Sequence, residues 1–282
     1  MITQKQFIRN LGIVTPEEQK KLSSSTVIVV GLGCTGSAVV EFLARTGVGG
    51  FILVDGDYYD ETNINRQLNA LHSTIGKPKV EATAGRILDI NPCANVTIYH
   101  EFISVENAST FMRGASLVIS GVDDTFAMVI LHRTAKHLGL PCIMVLGGCI
   151  PFHGALTTFF PDSPVDYETL MNIPTRGREL SPRNKEELFK EIALKRAFSG
   201  VKRGAHPEPW LNERINGGPV PSFATASNIT GIIAAHEAVK LLIQRKELQA
   251  VSSPDLLFYD GVRNEMKVLH PSNGNYWDQR NF

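Results

Sequence analysis

The sequence predicts an α/β protein built on a doubly wound, mostly parallel sheet, and three observations lead there. Short β-branched runs recur through the first 148 residues, helical patterns separate them, and the first run meets a glycine-rich turn that opens a helix. Strands that alternate with helices are joined by crossovers, which place helices on both faces of a parallel sheet.

Taken in order, TVIVV (26–30) reads as a strand buried on both faces. It runs into Gly31, Gly33 and Gly36, then into the helical SAVVEFLARTGV, then into a second buried strand, FILVD (51–55), completing a β-α-β unit of the Rossmann-like kind. Residues 79–89 read as a helix, 95–102 and 116–124 as strands, 126–138 as a helix and 141–148 as a strand. After Gly154 the pattern changes. ALTTFF is strand-like, and a polar, Pro-interrupted stretch follows with one predicted helix at 185–198. Residues 217–244 then read as a Gly/Pro loop entering a long helix of small residues, and DLLFYDG with EMKVLH closes the chain as a hairpin-like pair. The expectation is one domain over 1–282: a nucleotide-binding half at about 1–150, an inserted crossover or lid at about 161–214, and a C-terminal mixed extension of helix and strand pair at about 215–270.

Composition narrows the function classes. Of 282 residues, 43% are hydrophobic and 20% charged, which excludes a disordered or fibrous chain. Lys+Arg and Asp+Glu both number 28, so the whole chain carries no basic footprint for nucleic acid or an anionic membrane. The one locally basic stretch, 176–203, has nine Lys/Arg against four Glu; it reads as a solvated helix face, with a substrate-guiding surface as the alternative. The start lacks the apolar core of a secretory signal and no run of about 18 apolar residues occurs, so a cytoplasmic protein without membrane contact is expected. The cysteines, Cys34, Cys93, Cys142 and Cys149, form no C-x-x-C pair.

The turn Gly31-Leu32-Gly33-Cys34-Thr35-Gly36 lets the backbone approach a phosphate while a helix N-terminus supplies N–H donors. Asp55, 24 residues on, is placed to accept hydrogen bonds from ribose hydroxyls. These features serve a dinucleotide dehydrogenase as well as an ATP user, and the residues beyond Asp55 separate the two. Asp55, Asp57, Asn63, Arg66, Gln67 and Lys79 fall within 25 residues. Such a cluster suits a triphosphate, because Arg and Lys neutralise its oxygens and carboxylates hold Mg²⁺.

The string DGDYYDETNINRQ (55–67), followed by GKPK (76–79), resembles the ThiF/MoeB/HesA family of ubiquitin-activating-enzyme-like adenylyltransferases, whose pattern is D-x-D-x-V-x-x-S-N-x-x-R-Q and then G-x-x-K. Tyr59 stands where Val is usual and Thr62 where Ser is usual. The resemblance extends over nearly the whole chain and fades between about 161 and 214. It implies that Asp55 holds the ribose, that Asn63, Arg66, Gln67 and Lys79 hold the triphosphate of ATP, and that Asp123 holds Mg²⁺ beside the α-phosphate. Arg9 matches an arginine that reaches the partner subunit's nucleotide, so a homodimer is implied. The implied catalytic set is Arg66, Lys79 and Asp123.

Two departures from the family pattern limit the chemistry. Where many relatives carry the first C-x-x-C of a structural zinc site, this chain has Asp166 and Thr169, so no zinc is expected. No cysteine follows Cys149, so the crossover supplies no thiolate for a thioester or persulfide. Cys34, Cys142 and Cys149 read as packed small side chains, and the eight histidines as surface or satisfied groups.

The expected reaction is activation of a carboxylate as an acyl-adenylate. The substrate would be the C-terminus of a ubiquitin-like or sulfur-carrier protein, a peptide or a small molecule. Cyclisation of the threonylcarbamoyl group of a modified tRNA adenosine is the alternative within the family. A nicotinamide-dependent oxidoreductase and a non-enzymatic nucleotide-binding scaffold are the readings from other classes.

Overall fold

A computed structural model describes residues 5–147, 152–173, 175, 178–181, 185 and 222–271. Eight strands form one sheet: β1 (Thr26–Val30), β2 (Gly50–Val54), β3 (Asn95–Tyr99), β4 (Leu117–Ser120), β5 (Cys142–Gly147), β6 (His153–Phe159), β7 (Leu256–Asp260) and β8 (Glu265–Leu269). Their order is β3-β2-β1-β4-β5-β6-β7-β8. The first five are parallel and the last three antiparallel, so the expected doubly wound sheet carries a mixed C-terminal extension.

Alternation along the central strands divides the core between two faces. Val27 and Val29 of β1 pack with Leu117 and Ile119 of β4 beneath α1 (Pro16–Ser24), α2 (Cys34–Thr46), α3 (Lys79–Ile90) and α7 (Ala224–Ile243). Ile28, Val30 and Val118 turn to the other side, against α4 (Ala108–Phe111) and α5 (Thr125–His137). Both faces are covered, which is why β1 is apolar and buried from Val27 to Val30 after the half-exposed Thr26. Met128 and Val129 of α5 continue that second face into a cluster with Met144, Phe159, Phe258 and the short α6 (Tyr167–Leu170).

Local sequence sets the helix ends. Thr15 accepts the Glu18 N–H while the Glu18 carboxylate accepts the Thr15 N–H, a capping box with Pro16 in the first turn of α1. Asp124 caps α5 through the Ala127 N–H, 2.8 Å. At the positions expected to lack a C-x-x-C, Asp166 accepts the Thr169 N–H at 2.8 Å, so the D-x-x-T spacing caps α6.

The sequence overran several strand ends. The run SLVISGVDD yields a strand only to Ser120, because Gly121 leaves the sheet and Asp124 starts the next helix. β3 likewise stops at Tyr99. Helix α2 begins at Cys34, inside the glycine turn, three residues before the predicted start. The predicted helix at 185–198, apart from Lys185, and most of the basic stretch lie outside the described residues, as does Cys149. Among the described residues, no helix is long and apolar enough to cross a membrane.

His132 corrects the expectation of surface or satisfied histidines. Its ring is buried, stacked on Tyr167 at 4.4 Å and edge-on to Phe159 at 4.8 Å, and its Nδ1 has no hydrogen-bond partner. Burial lowers its pKa to about 3 from 6.5. The unfolded chain therefore takes up a proton that the folded chain refuses. The stability is intact above pH 6.5 and is lost as pH falls from 6.5 towards 3. At pH 4.5 this group alone costs about 3 kcal/mol. His132→Phe flattens that acid limb by the same amount, measured as denaturant unfolding at pH 7.5 and pH 4.5.

Candidate nucleotide site

The strand order reverses between β1 and β4, and in open α/β sheets the ligand crevice lies at the carboxyl ends of the strands at such a point. Gly31 leaves β1 with φ +87°, and a Cβ there would meet the Gly121 carbonyl carbon at 2.7 Å. Only glycine satisfies both demands. Gly36 allows α2 to start directly above the turn, since a Cβ there would lie 1.9 Å from the Gly31 carbonyl oxygen. Gly33 is the N-cap of α2, with no side-chain cap of its own, and the nearest atom to a Cβ there is Gln67 Nε2 at 3.8 Å. The helix N-terminus is thereby left open to an anion.

Asp55 follows β2. Its Oδ2 accepts the Leu32 N–H at 2.7 Å and its Oδ1 the Asp57 N–H at 2.9 Å, so the carboxylate is locked to the glycine turn with lone pairs to spare. Burial pushes its pKa up; the Lys79 ammonium and the two N–H donors oppose that. Lys79, the first residue of α3, is buried and pairs with Asp57 at 3.0 Å.

Between β2 and α3 the chain makes a short helical turn at Glu61–Asn63, capped by Asp60. Asn63 ends this turn, and the residues after it run against the glycine turn, where the Arg66 carbonyl accepts from Cys34 Sγ–H and Gln67 Nε2 lies nearest to Gly33. Arg66 Nη1 donates to the Thr62 carbonyl and to Asn65 Oδ1, each at 2.8 Å. Asn63 Oδ1 and Gln67 Oε1 are buried without a partner. Buried amide oxygens are rarely left orphaned, and ones that are need a reason. A ligand donor at this place supplies one.

Asp123 is exposed in the loop after β4, two residues beyond Gly121, which touches Gly31. Among the described residues no group of three or more His, Cys, Asp or Glu gathers for a metal. Mg²⁺ does not require one, because it is commonly held by one or two carboxylates together with substrate phosphates. The donor set therefore fits it.

The structure thus brings together Gly31, Gly33, Gly36, Asp55, Asp57, Asn63, Arg66, Gln67 and Lys79, with Asp123 on the adjoining loop. Arg9 is not among them. It lies in the helical turn Lys5–Asn10, whose Asn10 donates to the Thr46 carbonyl at the far end of α2, about 20 Å from the glycine turn. Cys142 is buried in the sheet with its thiol pushed far up by that burial, and burial also raises Cys34. Neither ionises readily.

Fold and site define an α/β protein whose crevice gathers a buried carboxylate, Asp55, with an arginine and a lysine around one glycine turn. The ThiF family profile matches residues 7–277, and the chain belongs to that family. Among its relatives, the tRNA threonylcarbamoyladenosine dehydratase of Bacillus subtilis is 41% identical over 143 residues, half of this chain and 56% of that protein. The SAMP-activating enzyme E1 of Haloferax volcanii is 29% identical over 255 residues, 88% of this chain and 77% of that protein. The chain spans about half the length of the dehydratases that it matches. Among solved structures, E. coli MccB with ATP superposes over 90% of this chain and 66% of its own with a TM-score of 0.67 at 18% identity, a likeness of fold.

Proposed function

We propose that this chain is an ATP- and Mg²⁺-dependent adenylyltransferase that activates a carboxylate, most naturally the C-terminus of a ubiquitin-like or sulfur-carrier protein, or a peptide or small-molecule carboxylate. The observation that carries the reading is the gathering round one glycine turn of a locked carboxylate, Asp55, of Lys79 on the neighbouring Asp57, and of Arg66, whose carbonyl is bonded to Cys34 of that turn. A dehydrogenase has no need of that arginine and lysine, and a scaffold has no chemical reason to keep them.

In this reading Asp55 holds the ribose, and the open N-terminus of α2 faces the phosphates. Asn63, Arg66, Gln67 and Lys79 hold the triphosphate. The substrate carboxylate oxygen attacks the α-phosphorus as the bond to the bridging oxygen breaks, and pyrophosphate leaves with that electron pair. Arg66 and Lys79 neutralise the charge that develops on it, so positioning and electrostatics carry the rate. Asp123 would hold Mg²⁺, which supplies further neutralisation of the phosphates when bound. The acyl-adenylate then passes to an external nucleophile, with no covalent cysteine intermediate. Cys142→Ala accordingly leaves ATP–pyrophosphate exchange within about twofold of wild type, since surface-remote packing changes act through stability instead. A folded variant that loses exchange contradicts this.

The homology to the SAMP-activating enzyme, which runs through most of this chain, supports the carrier-protein reading. The higher identity to tRNA threonylcarbamoyladenosine dehydratases over half of the chain favours a second one, cyclisation of that modified nucleoside. Pyrophosphate release measured with a ubiquitin-like carrier protein, a peptide panel and threonylcarbamoyl-modified tRNA decides between them. Release with carrier or peptide supports the first; release with tRNA alone replaces it with the second. The part of Arg9 in this proposal is to complete the site of a second copy in a homodimer, and cross-linking at that residue tests it.

A further inference from the structure

Asn228, on the first turns of α7, is far in sequence from every nucleotide-site residue, yet its side chain reaches the loop that carries Arg66. Its Nδ2 donates to the Arg66 carbonyl at 3.0 Å and to the Ala224 carbonyl at 2.8 Å. The Cys34 Sγ–H, from the first residue of α2, donates to the same Arg66 carbonyl at 2.9 Å. One residue earlier, Asn65 Nδ2 donates to the Ser222 carbonyl at 3.2 Å, a second stitch between this loop and the start of α7.

Among the described residues, Arg66 itself is anchored to its own loop, through the Thr62 carbonyl and Asn65 Oδ1. The direction of the guanidinium is therefore set by where the loop backbone sits, and that backbone is held from outside by α2 and α7. Resting on the triphosphate role proposed for Arg66, we infer that Asn228 is a positioning residue for that arginine, with Cys34 as the second donor.

The amide orientation of Asn228 is fixed, because a flip would set Oδ1 against two carbonyl oxygens. The consequence is a buried Oδ1 with no partner. An alanine or leucine would pack there without that unfavourable group, so a role confined to packing does not account for the asparagine. Burial keeps the Cys34 thiol protonated, which is the state that donates.

The test is calorimetric binding of Mg·ATP and of AMP to wild type, Asn228→Ala, Cys34→Ala, Cys34→Ser, Arg66→Ala and the Asn228→Ala/Arg66→Ala double variant. Losing one donor to the carbonyl weakens Mg·ATP about tenfold. AMP, which lacks the outer phosphates, stays within about twofold, and the hydroxyl of Cys34→Ser restores most of the loss. The double variant binds Mg·ATP no more weakly than Arg66→Ala. The inference is overturned if Asn228→Ala weakens ATP and AMP alike, or adds its full loss on top of Arg66→Ala, because both outcomes mark a merely structural side chain. Should Asn228→Ala fail to fold, the two Cys34 variants carry the same comparison. If Arg66→Ala binds Mg·ATP as wild type does, the triphosphate reading falls and the inference with it; if only Asn228 fails the comparison, the reading of Arg66 stands.

Discussion

Arg66→Ala lowers the rate of acyl-adenylate formation by about 10²-fold or more, the usual loss when a preorganised charge at a developing anion is removed. The Arg66 backbone is fixed to α2 and α7, so in the proposed role the guanidinium would meet the phosphates without reorganising during the reaction. Loss of kcat together with kcat/KM for the carboxylate substrate, read as pyrophosphate release at saturating ATP, identifies a transition-state interaction. A change in KM for ATP alone would reduce Arg66 to ground-state binding. Asp123→Ala follows the same pattern and responds to added Mg²⁺, whereas Arg66→Ala does not.

Gly36→Ala destabilises the fold by about 2–3 kcal/mol, the cost of forcing atoms into a packed interior. Its Cβ would lie 1.9 Å from the Gly31 carbonyl oxygen, which belongs to backbone and has no side chain to swing aside. The strain falls on the turn proposed to face the nucleotide, so ATP affinity is expected to drop with stability. Gly33→Ala makes the control. A Cβ there finds its nearest atom at 3.8 Å, so stability shifts by less than about 1 kcal/mol while nucleotide binding weakens, because the methyl stands at the mouth of α2. Urea unfolding and ATP titration of both variants separate the two effects.

The contrast between these glycines explains what the sequence could reveal. The turn was legible because a β-branched run, three glycines and a helical pattern occur in consecutive residues, and β1 emerges with its predicted ends. Asp55, Asn63, Arg66, Gln67 and Lys79 were legible as a cluster because they follow within one connection. The end of β4 was not, since Val122 continues the apolar pattern and the strand is ended by Gly121 leaving the sheet and by the Asp124 cap. Helices α4 and α6, four residues each, are too short to show a period. Asn228 was hidden for a different reason: it meets Arg66 across 162 positions, and no local pattern encodes that contact. His132 sits on the apolar face of an ordinary amphipathic helix, and its orphaned Nδ1 is a property of its neighbours on α6 and β6.

The central claim is that the crevice at the end of β1 and β4 is built for Mg·ATP. Calorimetric titration of the protein with Mg·ATP and, separately, with NAD(H), repeated on Arg66→Ala and Asp123→Ala, tests it most directly. The account predicts binding of Mg·ATP that weakens in both variants and no comparable binding of NAD(H). Binding of NAD(H) alone, unchanged in both variants, would contradict it and assign the glycine turn and Asp55 to a dehydrogenase.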